Sequence, residues 1–243
     1  MTGPILRVAG LGKAFGGLRA VHDCSFEVAR GTAVGLIGPN GSGKTTIFNL
    51  IVSLLRPDTG AVFFDDQRID GLPAYQIARR GIGRTFQSVR LFRDLTVREN
   101  LAIAAMGRGV RDWEASADRW LARMELLHLI GHPAGTLSVG QQRLLELAMN
   151  LLVDPPFLML DEPLAGVGPV IRRRIGEIVE ALRAEGRTFL IIEHHMPFVM
   201  HLCDKIVVLD HGEKLAEGPP AAIRADPRVV DALLGVRRSE APA

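Results

Sequence analysis

The run Gly38-Pro39-Asn40-Gly41-Ser42-Gly43-Lys44-Thr45 constrains this chain more than any other feature. It fits the pattern G-x-x-x-x-G-K-[ST], directly after the strand-like TAVGLI (32–37) and directly before the helical TTIFNLIVSLL (45–55). A strand that turns into a helix through such a loop aims successive backbone N–H groups, and the positive end of the helix dipole, at one point. Small glycines leave room there for phosphate oxygens. Lys44 supplies a cation for β- and γ-phosphates, the Thr45 hydroxyl is a candidate ligand for Mg²⁺, and Thr46 extends the candidate nucleotide-binding set.

The same alternation of strand and helix predicts the fold. FLML (157–160), TFLII (188–192) and KIVVL (205–209) read as further short apolar strands, and helical patterns follow the first three strands of this series. That order predicts a parallel sheet with right-handed crossovers, where ligands collect at the carboxyl ends of the strands. Strand-like stretches near 5–9, 24–28 and 61–65, with turns at Gly16-Gly17 and at Asp58 to Gly60, predict an antiparallel flank. From about residue 94 to 150 the pattern is helical throughout. Trp113, Ala117, Trp120, Leu121, Met124 and Leu127 fall on one predicted core face; Leu144, Leu147, Ala148, Leu151 and Leu152 form another. Ser138, with Gln141 three residues later, predicts a capping box and a helix start. The expectation is an α/β protein with one domain over 1–236. Its sheet core spans 1–87 and 152–236, a helical subdomain is inserted at 88–151, and a flexible tail follows at 237–243.

A second chemical signal is FLMLDEP (157–163), an apolar strand ending in two carboxylates beside the phosphate loop. Asp161 is the candidate holder of Mg²⁺, and Glu162 the candidate general base that polarises an attacking water. Composition then excludes other classes. Lys and Arg number 29 against 27 Asp and Glu, a net charge of +2, which is too balanced for a nucleic-acid partner. Cys24 and Cys203 have no CxxC companion, which predicts buried free thiols. No apolar run approaches the roughly 20 residues of a membrane helix, since 144–153 is interrupted by Glu146 and Asn150. The opening MTGPILRVAG lacks a signal-peptide pattern, so the expected location is cytoplasmic.

A phosphate loop alone does not distinguish kinases, GTPases and transport ATPases. The stretch LSVGQQRLLELA (137–148) does: Ser138, Gly140 and Gln141 at a helix start offer a hydroxyl and open N–H groups, an anion site separate from the chain's own phosphate loop. With this stretch the chain resembles, nearly end to end, the nucleotide-binding subunit of ATP-binding cassette (ABC) transporters. LSVGQ is similar to that family's LSGGQ signature, with Val139 in place of a glycine. GIGRTFQ (81–87), VRLFRDLTVRENL (89–101), IEHHM (192–196), LAGVGP (164–169) and DPRVVDALLG (226–235) resemble the ATPases of branched-chain amino-acid uptake systems.

The resemblance implies a P-loop NTPase fold of the ABC type, with a RecA-like core, binding ATP with Mg²⁺. It implies that Gln87 senses the metal and the attacking water, and that His194 hydrogen-bonds the γ-phosphate, although His195 competes for that role. It also implies that Phe15 stacks on adenine, against the rival reading of a core phenylalanine. Two chains, a homodimer or a pair of paralogues, would complete each site head to tail. Integral-membrane permeases and an extracytoplasmic solute-binding protein are the expected further partners, with the chain peripheral on the inner face of the membrane. An exporter or lipid-extraction ATPase is the alternative within the fold; a GTPase, a kinase or a non-hydrolytic scaffold is the alternative outside it. No [NT]KxD motif is present to read guanine.

Overall fold

A computed structural model of the chain describes residues 3–234. The tail expected at 237–243 lies outside them. The first half runs β1 (Leu6–Phe15), β2 (Leu18–Val28), β3 (Ala33–Ile37), α1 (Lys44–Ile51), β4 (Thr59–Phe64), β5 (Gln67–Arg68), α2 (Ala74–Arg79), β6 (Ile82–Arg84), α3 (Val97–Arg108), α4 (Trp113–Arg123) and α5 (Val139–Leu151). Then follow β7 (Phe157–Asp161), α6 (Pro169–Ala184), β8 (Thr188–Ile192), α7 (Met196–Leu202), β9 (Lys205–Asp210), β10 (Glu213–Gly218), α8 (Pro220–Ala225) and α9 (Pro227–Leu234).

Two sheets result. One has the order β10-β9-β3-β8-β7-β6, parallel except for the β10 edge; the other, β2-β1-β4-β5, is antiparallel. Every residue of β3, β7 and β8 is buried, as strands covered on both faces require. Alternate side chains serve opposite layers. Leu158, Leu160, Phe189 and Ile191 pack with α3 to α6, while Phe157, Met159, Leu190 and Ile192 pack with α1 and the antiparallel sheet. The helices of the central stretch therefore share a continuous apolar core with the parallel sheet. Among the described residues no helix is long and apolar enough to cross a membrane.

The predicted flank, the parallel order and the helix start at Ser138 are all present. Ser138 Oγ accepts from the Gln141 amide at 3.3 Å, and Gln141 Oε1 accepts from the Ser138 amide at 2.9 Å. Two details differ. Helix α4 ends at Arg123, so Leu127 opens a short 3-10 turn and is 42% exposed instead of joining the Trp113 face. Thr59 and Gly60 already belong to β4, and Asp58 ties the start of that strand to β1 by accepting from Lys13 Nζ (2.7 Å) and the Ala14 amide (2.8 Å).

Cys24 and Cys203 are free and buried, and burial pushes both thiols up to about 12. A thiol held protonated in the fold but free to ionise near pH 9 when unfolded stabilises the fold fully below pH 9 and progressively less between 9 and 12. Unfolding midpoints measured across that range are expected to fall, and to fall less in a Cys24→Ala, Cys203→Ala double variant. A thiol reagent at pH 8 is expected to leave both sulfurs unmodified until the chain unfolds.

Candidate nucleotide-binding site

The loop between β3 and α1 is built by glycines that no other residue can replace. Gly38 has φ +151, and a Cβ there would sit 2.1 Å from Leu209 O; Gly43 has φ +98, and its Cβ would sit 2.4 Å from Ala20 O. Both collisions are with backbone, so neighbours cannot relax away. Gly38→Ala and Gly43→Ala are each expected to cost about 2 kcal/mol or more of stability, read as a lowered thermal midpoint, in addition to nucleotide binding. Gly43 caps α1 in the left-handed conformation, leaving the first amides of the helix without intrahelical partners. Asn40, Gly41 and Thr45 are exposed, Pro39 and Thr46 half-buried, and Ser42 buried.

Lys44 is folded back over this loop. Its Nζ donates to Gly38 O (2.9 Å) and Pro39 O (2.7 Å), with Ser42 Oγ at 3.4 Å. Burial holds its ammonium below the usual lysine range, and the charges of Glu162 and Asp161 pull in the opposite direction. An ammonium held only by neutral carbonyls and a hydroxyl is ready to exchange them for phosphate oxygens.

Strand β7 delivers Asp161 and Glu162. Asp161 is 2% exposed, and burial raises its carboxyl above the usual carboxylate range against the lowering effect of Arg84. Its Oδ2 accepts from Arg84 Nη2 at 3.1 Å, while Oδ1 is buried with no hydrogen-bond partner. An orphaned carboxylate oxygen is a hard donor of the kind that suits Mg²⁺, as would be the Thr45 hydroxyl and the Gln87 carbonyl oxygen named from the sequence. Among the described residues no group of three His, Cys, Asp or Glu could hold a metal alone, so phosphate oxygens and water would have to supply the other ligands.

Glu162 adopts φ +47, unusual for a side chain with a Cβ. Its carboxylate lies between two sequence-predicted partners: Gln87 Nε2 is 3.2 Å from Oε2, and His194 Nε2 is 3.0 Å from Oε1. His195 is used differently, since its Nδ1 accepts from the Phe198 amide at 3.3 Å and caps α7.

The structure also contains residues that sequence reasoning missed. Arg84 is buried, its side chain 7% exposed. It joins Asp161 to Asn49 Oδ1 of α1 at 2.8 Å. Glu193 is 4% exposed and accepts from the amides of Leu164 (2.8 Å), His194 (2.9 Å) and His195 (3.1 Å). One carboxylate thus fixes both the segment after Glu162 and the two histidines. A Glu just past a strand end that reaches a loop amide 29 positions away carries no sequence signal for that job.

The predicted signature residues and Phe15 have their bonds outside this cluster. Ser138 is exposed and its hydrogen bonds run to Gln141; Gly140 is buried against Ile171, and Val139 is 54% exposed beside them. Phe15 closes the β1 strand at 46% exposure, with Lys13 Nζ 5.7 Å from its ring centroid, so the reading of a core phenylalanine is wrong.

The chain is also similar to known proteins in sequence and in fold. The model of the ABC transporter family matches residues 21–165, and the model of the branched-chain amino acid ATP-binding cassette transporter matches 213–238. The chain is 42% identical to BraF of Pseudomonas aeruginosa, a high-affinity branched-chain amino acid transport ATP-binding protein, over 97% of this chain and 99% of that one. It is 41% identical to LivG of Escherichia coli, described in the same words, with the same coverage. Among solved structures, a nucleotide-free ATP-binding cassette from an ABC transporter superposes with TM-score 0.87 at 34% identity, covering 95% of this chain and 98% of the other. A second cassette in its ADP conformation gives 0.87 and 34%, covering 96% and 100%. With a phosphate loop, paired strand-end carboxylates and this likeness along nearly its whole length, the chain belongs to the ABC transporter family, among its ATP-binding cassettes.

Proposed function

We propose that this chain is the ATP-hydrolysing subunit of an importer for branched-chain or similar hydrophobic amino acids, with residues 1–236 acting as one unit. The observation that carries the hydrolytic reading is the Glu162 carboxylate held between Gln87 and His194 at the carboxyl end of the parallel sheet, beside the phosphate loop. In this reading the amides of Gly38 to Thr46 and the Lys44 ammonium hold the β- and γ-phosphates. Thr45, Asp161 and Gln87 hold Mg²⁺, which when bound neutralises charge on those phosphates. Glu162 accepts a proton from the attacking water as its oxygen bonds to phosphorus and the bond to the ADP oxygen breaks. His194 donates to the γ-phosphate, and Phe15, exposed at the β1 end, offers a face to adenine. Ser138, Gly140 and Gln141 of a second chain, identical or paralogous, cover the terminal phosphate.

A groove supports the permease partners. Two hollows of ≈ 210 Å³ each share Arg84, Phe86 and Asn150; Leu54, 48% exposed, lines one, and Arg90, stacked on the Phe86 ring at 3.8 Å, lines the other. An apolar hollow beside the exposed Arg90 suits an intruding helix with acidic or polar ends. The chain then sits on the cytoplasmic face of the membrane, and an extracytoplasmic binding protein delivers the amino acid.

A complementation experiment tests the shared site. Ser138→Arg disables the site of the partner, and Lys44→Ala disables its own, so each variant alone is expected to be inactive. In a mixture that re-equilibrates its dimers, roughly a quarter of all sites are intact, because half the dimers are mixed and each has one good site. ATPase activity is expected to return to about that fraction of wild type on mixing. No gain on mixing would contradict a site shared between chains.

A further inference from the structure

The segment that carries Gln87 has little regular structure of its own: after Arg84 it leaves β6 and does not enter a helix until Val97. Its backbone is held by one polar stripe on α5. Arg143 Nη1 donates to Phe86 O at 2.5 Å, and Arg143 Nη2 donates to Gln87 O. Glu146 Oε1 accepts from the amides of Phe86 (3.3 Å) and Arg90 (3.4 Å), and Glu146 Oε2 pairs with Arg143 Nη1 at 3.2 Å. One turn further on, Asn150 Oδ1 accepts from the Arg84 amide at 3.0 Å. Both charged side chains are almost completely buried, 6% and 4% exposed.

Positions 143, 146 and 150 recur at helical spacing on one face, so the segment from Arg84 to Arg90 is attached to a single rigid helix. The same helix begins at Ser138. A buried ion pair is a poor source of net stability, because desolvation offsets the attraction between the charges. Its value here is geometric: the planar guanidinium bridges two consecutive carbonyls, and the carboxylate receives two amides, one on each side of the glutamine. Gln87 in turn reaches Glu162.

We propose that Arg143 and Glu146 are positioning residues that make the placement of Gln87 against Glu162 follow the placement of helix α5, and therefore of Ser138 at its start. Engagement of Ser138 by a second chain is thereby transmitted to the water-activating carboxylate within the same polypeptide. The inference rests on the ATPase reading above but assigns to these two side chains a role that reading does not need.

The test compares Arg143→Lys with the double variant Arg143→Met, Glu146→Leu. Lysine keeps the charge beside Glu146 but replaces the planar fork, whose two nitrogens reach Phe86 O, Gln87 O and Glu146 Oε2 together, with a single nitrogen, and the apolar pair keeps the core filled without an unpaired charge. Both are expected to keep a thermal midpoint near that of wild type and ATP affinity within about twofold, with kcat reduced about tenfold. Amide hydrogen exchange at Phe86 and Arg90 is expected to quicken at least tenfold in the double variant and to stay slow in Arg143→Lys, which retains Glu146. Wild-type kcat in Arg143→Lys, or unchanged exchange at Phe86 and Arg90 in a folded double variant, would overturn the proposal. Should the double variant not fold, the kcat of Arg143→Lys alone decides. Loss of ATP hydrolysis by the wild-type chain would instead refute the ATPase reading, so the two failures are distinguishable.

Discussion

Glu162→Gln is expected to lower ATP hydrolysis by about 10²–10⁴-fold while leaving ATP binding intact, because a positioned general base contributes in that range. The substitution is nearly isosteric. A carboxamide at 162 still offers an oxygen to Gln87 or to His194, which now lie 3.2 and 3.0 Å from the carboxylate. The amide of residue 162 keeps its bond to Ile192 O at 3.0 Å, so the backbone is not disturbed. What is lost is the capacity to take a proton from water. A closed pair that cannot hydrolyse its nucleotide should persist, so size exclusion with ATP and Mg²⁺ is expected to show the mass of a dimer. Monomeric elution together with normal turnover would contradict the role assigned to Glu162.

Lys44→Ala is the second large effect. The ammonium now held by Gly38 O, Pro39 O and Ser42 Oγ is the cation available to the phosphates. Charge-assisted hydrogen bonds are worth about 1.5–3 kcal/mol each, so losing two of them should weaken ATP binding by about 10²–10⁴-fold. Titration calorimetry is expected to detect no binding at concentrations that saturate wild type. The thermal midpoint should also fall somewhat, since buried Gly38 O loses a donor. Retained affinity in a folded Lys44→Ala chain would remove the phosphate loop from the account.

The contrast between these residues and those that the sequence concealed is physical. Lys44 and Thr45 were legible because the glycine spacing around them is a local pattern, and Asp161-Glu162 because an apolar run ends there. Strands β3, β7, β8 and β9 declared themselves as apolar runs. Strand β6 did not, since Ile82-Gly83-Arg84 is three residues long with a glycine at its centre, and only its parallel pairing with β7 makes it a strand. The pairing of Arg84 with Asp161 spans 77 positions, and Glu193 reaches back 29 to Leu164. Contacts of that range exist only after the sheet has assembled. The ambiguity between His194 and His195 was of the same kind: adjacent residues of one type are separated by geometry alone, one turned toward Glu162 and the other capping α7. On α5, the apolar face was legible from its period, whereas Arg143 and Glu146 read only as charges interrupting it.

The most direct test of the whole account is a structure of the Glu162→Gln protein with ATP and Mg²⁺. The triphosphate is expected in the bend from Gly38 to Thr45, with Lys44 turned from its carbonyls to the phosphates and Ser138 of a second chain on the terminal one. A triphosphate seated elsewhere, or contacted by a single polypeptide only, would contradict it.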